Sequence, residues 1–393
     1  MTAPLTKSPV TSLTYYLTEA CNLRCTYCYQ EKNPKRSSAE VGKAAIDFLV
    51  RESGARKSIH LRFFGGEPLL ELDLIKELAA YGREQSSMAG KRIRYDMISN
   101  GTLLTRETVD LLREMGVEVI SSVDGSRSTM QANRPFYNIK KSFDGYDEKL
   151  SYASASGVAK VARMTVSPHQ SDIVDDIKHI LRLGYDSITI ALATNVDWKE
   201  ENISSIYDGM AGFYIDTARG GSILPLQPTN QLLLARHEIE NGMYEPPSGG
   251  FCSAGKDMLG VTVDGELYPC HRFVQLGTEF RIGDVFTGIE SDKREPFLGV
   301  TTATLHHEIC RTCHALPYCP GSCMAANLPA SGDMLYPEGR HCLDLRAHVN
   351  AVDRIYDSLI DACEPFSSFI DRAWRQKRAG VLRSLISESL GEE

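Results

Sequence analysis

Between residues 13 and 218, short runs rich in β-branched and aromatic residues alternate with longer stretches of helical periodicity. Residues 13–17, 58–64, 92–98, 117–123, 158–166 and 187–192 have the spacing of strands; in the second, Ile59, Leu61 and Phe63 fall at every other position. Residues 39–52, 70–85, 105–115, 146–156, 171–183 and 204–218 recur at helical spacing, with Thr105 placed to cap the third. The order is six βα units, which predicts an α/β fold with a parallel sheet and right-handed crossovers. Six units instead of eight predict a partial (β/α)6 TIM barrel with an open side for a large substrate. Turns end three of the strands: Gly65-Gly66-Glu67-Pro68, Ser99-Asn100-Gly101 and Asp124-Gly125. Barrels carry their chemistry at the C-terminal ends of strands, so these turns are candidate site segments.

The pattern breaks at residues 244–250, Tyr-Glu-Pro-Pro-Ser-Gly-Gly, a linker composition. Short strands and turns follow, and residues 259–268 read as a β-hairpin about Asp264-Gly265. From about residue 348 the chain reads as helical again, ending in a charged amphipathic tail at 369–390. The expected division is 10–235 for the barrel, 236–250 for the linker, 251–345 for a cysteine-rich domain and 346–393 for C-terminal helices.

Length and composition narrow the function classes. A chain of 393 residues suits two domains with extensions. The net charge of −8 leaves no electrostatic footprint for nucleic acid or an anionic membrane. There is no N-terminal signal-like run and no apolar stretch long enough to span a bilayer, so a soluble, cytoplasmic protein is expected. Eleven cysteines in a reducing compartment point to metal and not to disulfides. Their clustering agrees: three at 21–28, seven at 252–342, and Cys363 alone, which reads as a buried hydrophobe.

Cys21, Cys25 and Cys28 have the spacing C-x3-C-x2-C, with no fourth cysteine or histidine at ligand distance in sequence. Three thiolates hold three irons of a cubane and leave the fourth open to a substrate. Structural zinc sites and dedicated electron-transfer cubanes close that position with a fourth protein ligand. On this motif, followed after a strand by Gly65-Gly66-Glu67-Pro68, the chain resembles the radical S-adenosylmethionine (SAM) superfamily. The resemblance implies a SAM-binding [4Fe–4S] cluster, with Gly65, Gly66 and Glu67 at the SAM ammonium. It also implies SAM contacts from Ser99, Asn100, Ser122 and Asp124, and an aromatic, Tyr27, near adenine. Arg163 lies in an otherwise apolar run, where a guanidinium needs an anion. The SAM carboxylate or a structural carboxylate would serve. Turn chemistry alone would also account for the Asn-Gly and Asp-Gly pairs.

The seven later cysteines, Cys252, Cys270, Cys310, Cys313, Cys319, Cys323 and Cys342, resemble the SPASM domain in their internal spacings. The resemblance implies two auxiliary [4Fe–4S] clusters, one on Cys252, Cys270 and Cys323, the other on Cys310, Cys313, Cys319 and Cys342. Anaerobic sulfatase maturases carry an extra cysteine shortly before the position of Cys252. None occurs here between Cys28 and Cys252, which leaves one iron open or held by another kind of ligand. Those enzymes also place an aspartate after the cysteine that corresponds to Cys270. This chain has His271-Arg272-Phe273, closer to ribosomal-peptide (RiPP) maturases. His271 is a candidate base, a donor to cluster sulfide, or a packing residue.

The expected function is a radical SAM/SPASM oxidoreductase that forms a thioether or carbon–carbon cross-link in a ribosomally made peptide. The alternatives are a formylglycine-forming protein oxidase, a small-molecule dehydrogenase or epimerase, and a zinc-binding interaction module. Implied partners are the peptide or protein substrate and a low-potential electron donor, flavodoxin- or ferredoxin-like. With only about a dozen residues before the first strand, either a separate leader-binding protein grips the peptide or the barrel, the cysteine-rich domain and the C-terminal helices hold it.

Overall fold

The computed structural model describes residues 8–170, 172–194, 196–244 and 252–390, with side chains to 379. The chain divides into two units, residues 1–164, 179–185 and 252–301 in the first and 165–178, 186–251 and 302–393 in the second.

In chain order the first unit contains β1 (Ser12–Thr18), α1 (Ala39–Glu52), β2 (Ser58–Gly65), α2 (Leu72–Met88), β3 (Arg92–Ser99), α3 (Arg106–Glu114), β4 (Val117–Ser122), α4 (Arg127–Asn133) and α5 (Tyr146–Ala155), and leads into β5 (Val161–Val166). The strands β1 to β5 pair in parallel in sequence order. The βα alternation expected from periodicity is therefore present. Ser38 caps α1 through Val41 N–H and Thr105 caps α3 through Thr108 N–H. One sheet face is apolar and buried, with Leu13, Tyr15, Leu61, Phe63, Met97 and Val119 covered by Ile46, Leu49, Ile75 and Leu78 of the first two helices. The other face is polar for a parallel sheet: the register sets Thr14 beside Arg62, Arg62 beside Asp96, and Ser122 beside Arg163. Parallel strands are ordinarily apolar on both faces, so this face is where a site belongs.

One short element escapes the periodic pattern. Helix α4 is absent from the sequence expectation; its residues Arg-Ser-Thr-Met-Gln-Ala-Asn show no apolar stripe. The expected hairpin forms from β6 (Met258–Val261) and β7 (Glu266–Tyr268). It is not isolated within its own domain, because β6 pairs in parallel with β1, Ser12 opposite Met258 through Tyr15 opposite Val261. Gly260 lets the returning chain of the hairpin pack close: a Cβ there would lie 2.7 Å from the carbonyl carbon of Cys270.

In the second unit, two parallel strands (Ser187–Leu192 and Leu226–Gln227) precede helices. The helices Glu200–Arg219, Thr229–Glu240, Gly339–Leu359 and Glu364–Leu390 pack together. Tyr207 stacks on His348 at 4.5 Å and its hydroxyl donates to Asp344 at 2.5 Å. The helical return begins at Gly339, nine residues before the expected start at 348. Residues 236–240, expected in the linker, complete the helix Thr229–Glu240, while 245–250 lie outside the described residues. Cys363 is buried, its thiol donating to Ala218 O at 3.4 Å, as expected of a packing cysteine.

Candidate cluster and SAM site

The loop after β1 carries Cys21, Cys25 and Cys28, all half-buried and free. Cys28 N–H donates to Cys25 O at 3.1 Å, and Leu23 N–H turns back on the Cys21 sulfur at 3.4 Å. Burial pushes the Cys25 thiol up to about 11 against the pull of Arg134, and Cys28 and Cys21 add to the rise. Burial likewise raises Cys21, and Cys28 adds to it. Three thiols on one loop, two of them disfavoured as thiolates by burial, suit a cationic group that binds sulfur as thiolate. The donor set therefore fits an iron–sulfur group.

The glycine turn after β2 lies against the backbone that enters the cysteine loop. A Cβ on Gly65, whose φ is +128°, would lie 2.1 Å from Thr18 O, and one on Gly66 2.1 Å from Ala20 O. Gly66 N–H donates to Thr18 O (2.8 Å) and Glu67 N–H to Ala20 O (2.9 Å). The glycines thus let the turn close on the backbone that leads into the cysteine loop. Glu67 is fully buried. Its carboxylate accepts from Ser99 Oγ (2.9 Å), Leu69 N–H (3.1 Å) and Asn100 N–H (2.8 Å). Burial raises its pKa although these bonds oppose the rise. The expectation of a carboxylate held ready for a ligand meets one that ties the ends of β2 and β3 together. Asn100 continues the tie, donating to Asn22 Oδ1 (2.8 Å) and lying 3.8 Å from the Cys21 sulfur, while its own Oδ1 accepts from Thr102.

Asp124, expected among the SAM contacts, is wholly buried and engaged. It receives a two-pronged bond from Arg134 (2.9 and 2.7 Å), a bond from the Tyr27 hydroxyl and one from Asn133 (3.3 Å). The Arg134 guanidinium lies 5.4 Å from the centre of the Tyr27 ring. Tyr27 is thus fixed between the second and third cysteines by a buried ion pair. Sequence reasoning missed Arg134, which stands among polar residues with no apolar run to mark it.

Ser122 is buried, whereas Arg163 is exposed. They are adjacent in register, and Ala162 and Met164 beside Arg163 are buried. The surface of Arg163 stays accessible, yet the protein crowded around it desolvates the guanidinium and lowers its pKa against the effect of Tyr29, and the guanidinium groups of Arg272, Arg134 and Arg62 lower it further. No carboxylate partner of Arg163 occurs among the described residues.

His271 belongs to the same unit as the cysteine loop. Its ring lies 5.0 Å from Phe64 and 6.3 Å from Tyr29, and its carbonyl accepts from the Tyr16 hydroxyl at 2.8 Å. Its buried Nδ1 has no partner among the described residues. Burial pushes its pKa down to about 3, helped by Arg272, Arg163 and Arg62. Arg272 stacks on Tyr29 at 5.2 Å.

The second unit brings Cys310, Cys313, Cys319 and Cys342 to the wall of one cavity of about 480 Å³. Successive tight turns carry the first three, Cys313 N–H to Cys310 O and Cys319 N–H to Leu316 O, and Cys342 sits in the first turn of the helix Gly339–Leu359. Burial raises Cys319 and Cys342, with the other thiols of the set contributing. His341 lines the same cavity with a buried, unpartnered Nε2, a donor the sequence did not mark. Among the described residues, no three His, Cys, Asp or Glu side chains gather as a single-ion site. Cys252 and Cys270 belong to the first unit and Cys323 to the second.

The radical SAM superfamily model matches residues 15–184, from β1 through the cysteine loop to the end of the fifth βα unit. Over those residues, a little under half of its length, the chain is similar to the radical SAM superfamily. Its fold is similar to that of anSMEcpe with bound AdoMet, at TM-score 0.75 and 18% identity over 93% of this chain and 98% of that one. It is also similar to Streptococcus suis SuiB bound to precursor peptide SuiA, at TM-score 0.58 and 15% identity over 85% and 76%. The likeness thus extends over the cysteine-rich part, as the SPASM resemblance predicts. Among curated relatives, the radical SAM cyclopropyl synthase TigE of Paramaledivibacter caminithermalis is 22% identical over 86% of this chain and 72% of its own length. The Fe-coproporphyrin III synthase of Methanosarcina barkeri is 35% identical over 41% of this chain, which spans only 38% of that protein. No helix among the described residues is long and apolar enough to cross a membrane.

Proposed function

We propose that this radical SAM enzyme is a peptide maturase that forms a thioether or carbon–carbon cross-link in a ribosomally made peptide. The observation that carries the reading is the four-thiol cavity of the second unit, separate from the cysteine loop. Cross-linking removes two hydrogens from the substrate: one would leave as a hydrogen atom on 5′-deoxyadenosine, the other as a proton and an electron, and a second iron–sulfur site would take that one electron. Cys21, Cys25 and Cys28 would hold an iron–sulfur group, which with SAM would supply radical chemistry at the substrate. Ser122 and Arg163 receive the SAM carboxylate. Glu67, Asn100, Asp124 and Arg134 hold the cysteine loop still from behind, with Glu67 retaining acceptor capacity for the SAM ammonium. Phe64 and Tyr29 wall the site, and Nδ1 of His271 is the candidate acceptor of the substrate proton. Cys252, Cys270 and Cys323 are assigned to an auxiliary cluster whose remaining iron is open or weakly held. Peptide is the bound partner in SuiB with SuiA and in anSMEcpe with the Cp18Cys peptide, which supports a peptide substrate here.

The likeness to Fe-coproporphyrin III synthase favours a second reading, a small-molecule oxidation. The two separate in one experiment. The reconstituted enzyme, SAM and dithionite are incubated with a short peptide encoded beside its gene. The peptide should lose two hydrogens as 5′-deoxyadenosine appears. An unmodified peptide together with turnover of a porphyrin precursor would establish the small-molecule reading.

A further inference from the structure

In the cavity of the second unit a buried polar atom is left without a partner. His341 lines the same wall as Cys310, Cys313, Cys319 and Cys342, and its Nε2 is buried with no hydrogen bond among the described residues. Buried polar atoms ordinarily have a partner, because an unsatisfied one keeps its full desolvation penalty. Two neighbouring histidines are satisfied by carbonyls. His306, on the same cavity, donates from Nε2 to Cys319 O at 3.0 Å. His307 donates from Nε2 to Leu335 O at 2.9 Å. Both rings hold loop backbone in place.

The backbone around His341 is braced without its ring. His341 sits in the first turn of the helix Gly339–Leu359, one residue before Cys342. Glu338 N–H donates to Asn327 Oδ1 at 3.0 Å, Arg340 Nε to Glu338 at 2.8 Å, and Arg346 Nε to Cys342 O at 3.1 Å. What the cavity wall offers the ring is sulfur. Thiolates and bridging sulfides accept and do not donate, so an imidazole N–H is their complement. We propose that Nε2–H of His341 donates to a sulfur of an iron–sulfur group held by Cys310, Cys313, Cys319 and Cys342, and so makes that group easier to reduce. The proposal rests on the reading of these four thiols as an auxiliary cluster site. Reduction adds one negative charge, and a donor at sulfur stabilises the reduced form more than the oxidised one. The site assigned to take the substrate's electron is thereby set at a higher potential. The proton stays on Nε2, and no bond to the ring forms or breaks in the process.

The test is a reductive titration of the reconstituted full chain, followed by paramagnetic resonance. The signal of this site is the one that disappears when Cys310, Cys313, Cys319 and Cys342 are replaced by Ala. At a fixed potential, His341→Leu should lower the reduced-to-oxidised ratio of that signal about tenfold, ~59 mV for one electron. His341→Gln, whose amide still donates, should recover most of the ratio. With isotopically labelled histidine, the wild-type signal should carry a weak nitrogen coupling that both variants lose. An unchanged ratio in His341→Leu with full iron would overturn the proposal. So would a wild-type signal whose nitrogen coupling is the same in His341→Gln, a result that decides even where His341→Leu fails to hold iron. A large nitrogen coupling would make His341 an iron ligand and would overturn it as well. If replacing the four cysteines removes no iron, the cluster assignment itself fails, and the hydrogen bond falls with it.

Discussion

Asp124 and Arg134 form a two-pronged ion pair in which neither side chain is more than 7% exposed, and the pair clamps the Tyr27 hydroxyl between two candidate iron ligands. The arrangement converts a feature of strand β4 and helix α4 into the position of a loop that neither element contains. Removing one partner leaves the other charged, buried and uncompensated. Arg134→Leu should therefore cost about 3–5 kcal/mol of stability and lower iron retention at Cys25 and Cys28. Urea unfolding of the cluster-free protein checks the first effect and iron analysis the second. A loss below about 1 kcal/mol, the scale of an exposed pair, would show that water reaches the pair.

Glu67→Ala removes the acceptor of three bonds and strands Asn100 N–H in a buried place. The expected cost is about 1–3 kcal/mol for the orphaned donor, with weaker SAM binding alongside. Calorimetric titration of SAM and thermal unfolding, run on the same preparation, give both numbers. Intact stability with lost SAM affinity would assign Glu67 to the ligand alone and contradict its bracing role.

Replacing Cys21, Cys25 and Cys28 together by Ala should leave roughly two-thirds of about twelve irons per chain, on a count of four per cubane. It should also abolish 5′-deoxyadenosine. Replacing Cys310, Cys313, Cys319 and Cys342 should remove a similar third and spare uncoupled SAM cleavage. Iron analysis and chromatography of the nucleoside decide it; loss of all iron in either variant would deny independent sites.

On the polar face of the sheet, burial alone would raise Asp96. Arg62, bonded at 2.7 and 2.6 Å, and His60, 3.2 Å away, overcome that and hold its pKa down at about 2, against an ordinary 3.8. A depressed carboxylate stabilises the fold above its unfolded pKa and loses that contribution as protons bind. The stability difference between wild type and Asp96→Asn should be constant above pH 4 and shrink by about 2 kcal/mol between pH 4 and pH 2. Denaturant midpoints across that range measure it. A pH-independent difference would mean that the ion pair does not shift Asp96.

The features legible in the sequence are those with local causes. Strand and helix periods located β1 to β5 and their helices, and Thr105 marked a helix start. Cysteine spacing marked the loop and the four thiols that share a cavity. What escaped depends on contacts between distant segments. Arg134 meets Asp124 only because α4 folds the chain back, and nothing in Arg-Ser-Thr-Met-Gln-Ala-Asn announces that helix. Gly65 and Gly66 were read toward a ligand, whereas their neighbours are Thr18 and Ala20, since a sequence displays a small residue but not what crowds it. The attachment of β6 to β1 spans about 245 residues, and no local period records a partner that far away.

That attachment has a mechanical meaning. Strand β1 runs at its C-terminal end into the cysteine loop, and along one edge it bonds β6, the first strand of the hairpin whose second strand leads to Cys270 and His271. The two pieces of chemistry are therefore gauged against each other by rungs of one ladder, with no hinge interposed. A slip of a single rung would displace them by about 3.3 Å and turn every side chain of the strand to the wrong face. Electron and radical transfer fall off steeply with separation. In this enzyme that separation is a quantity counted in whole residues, and it cannot drift by fractions.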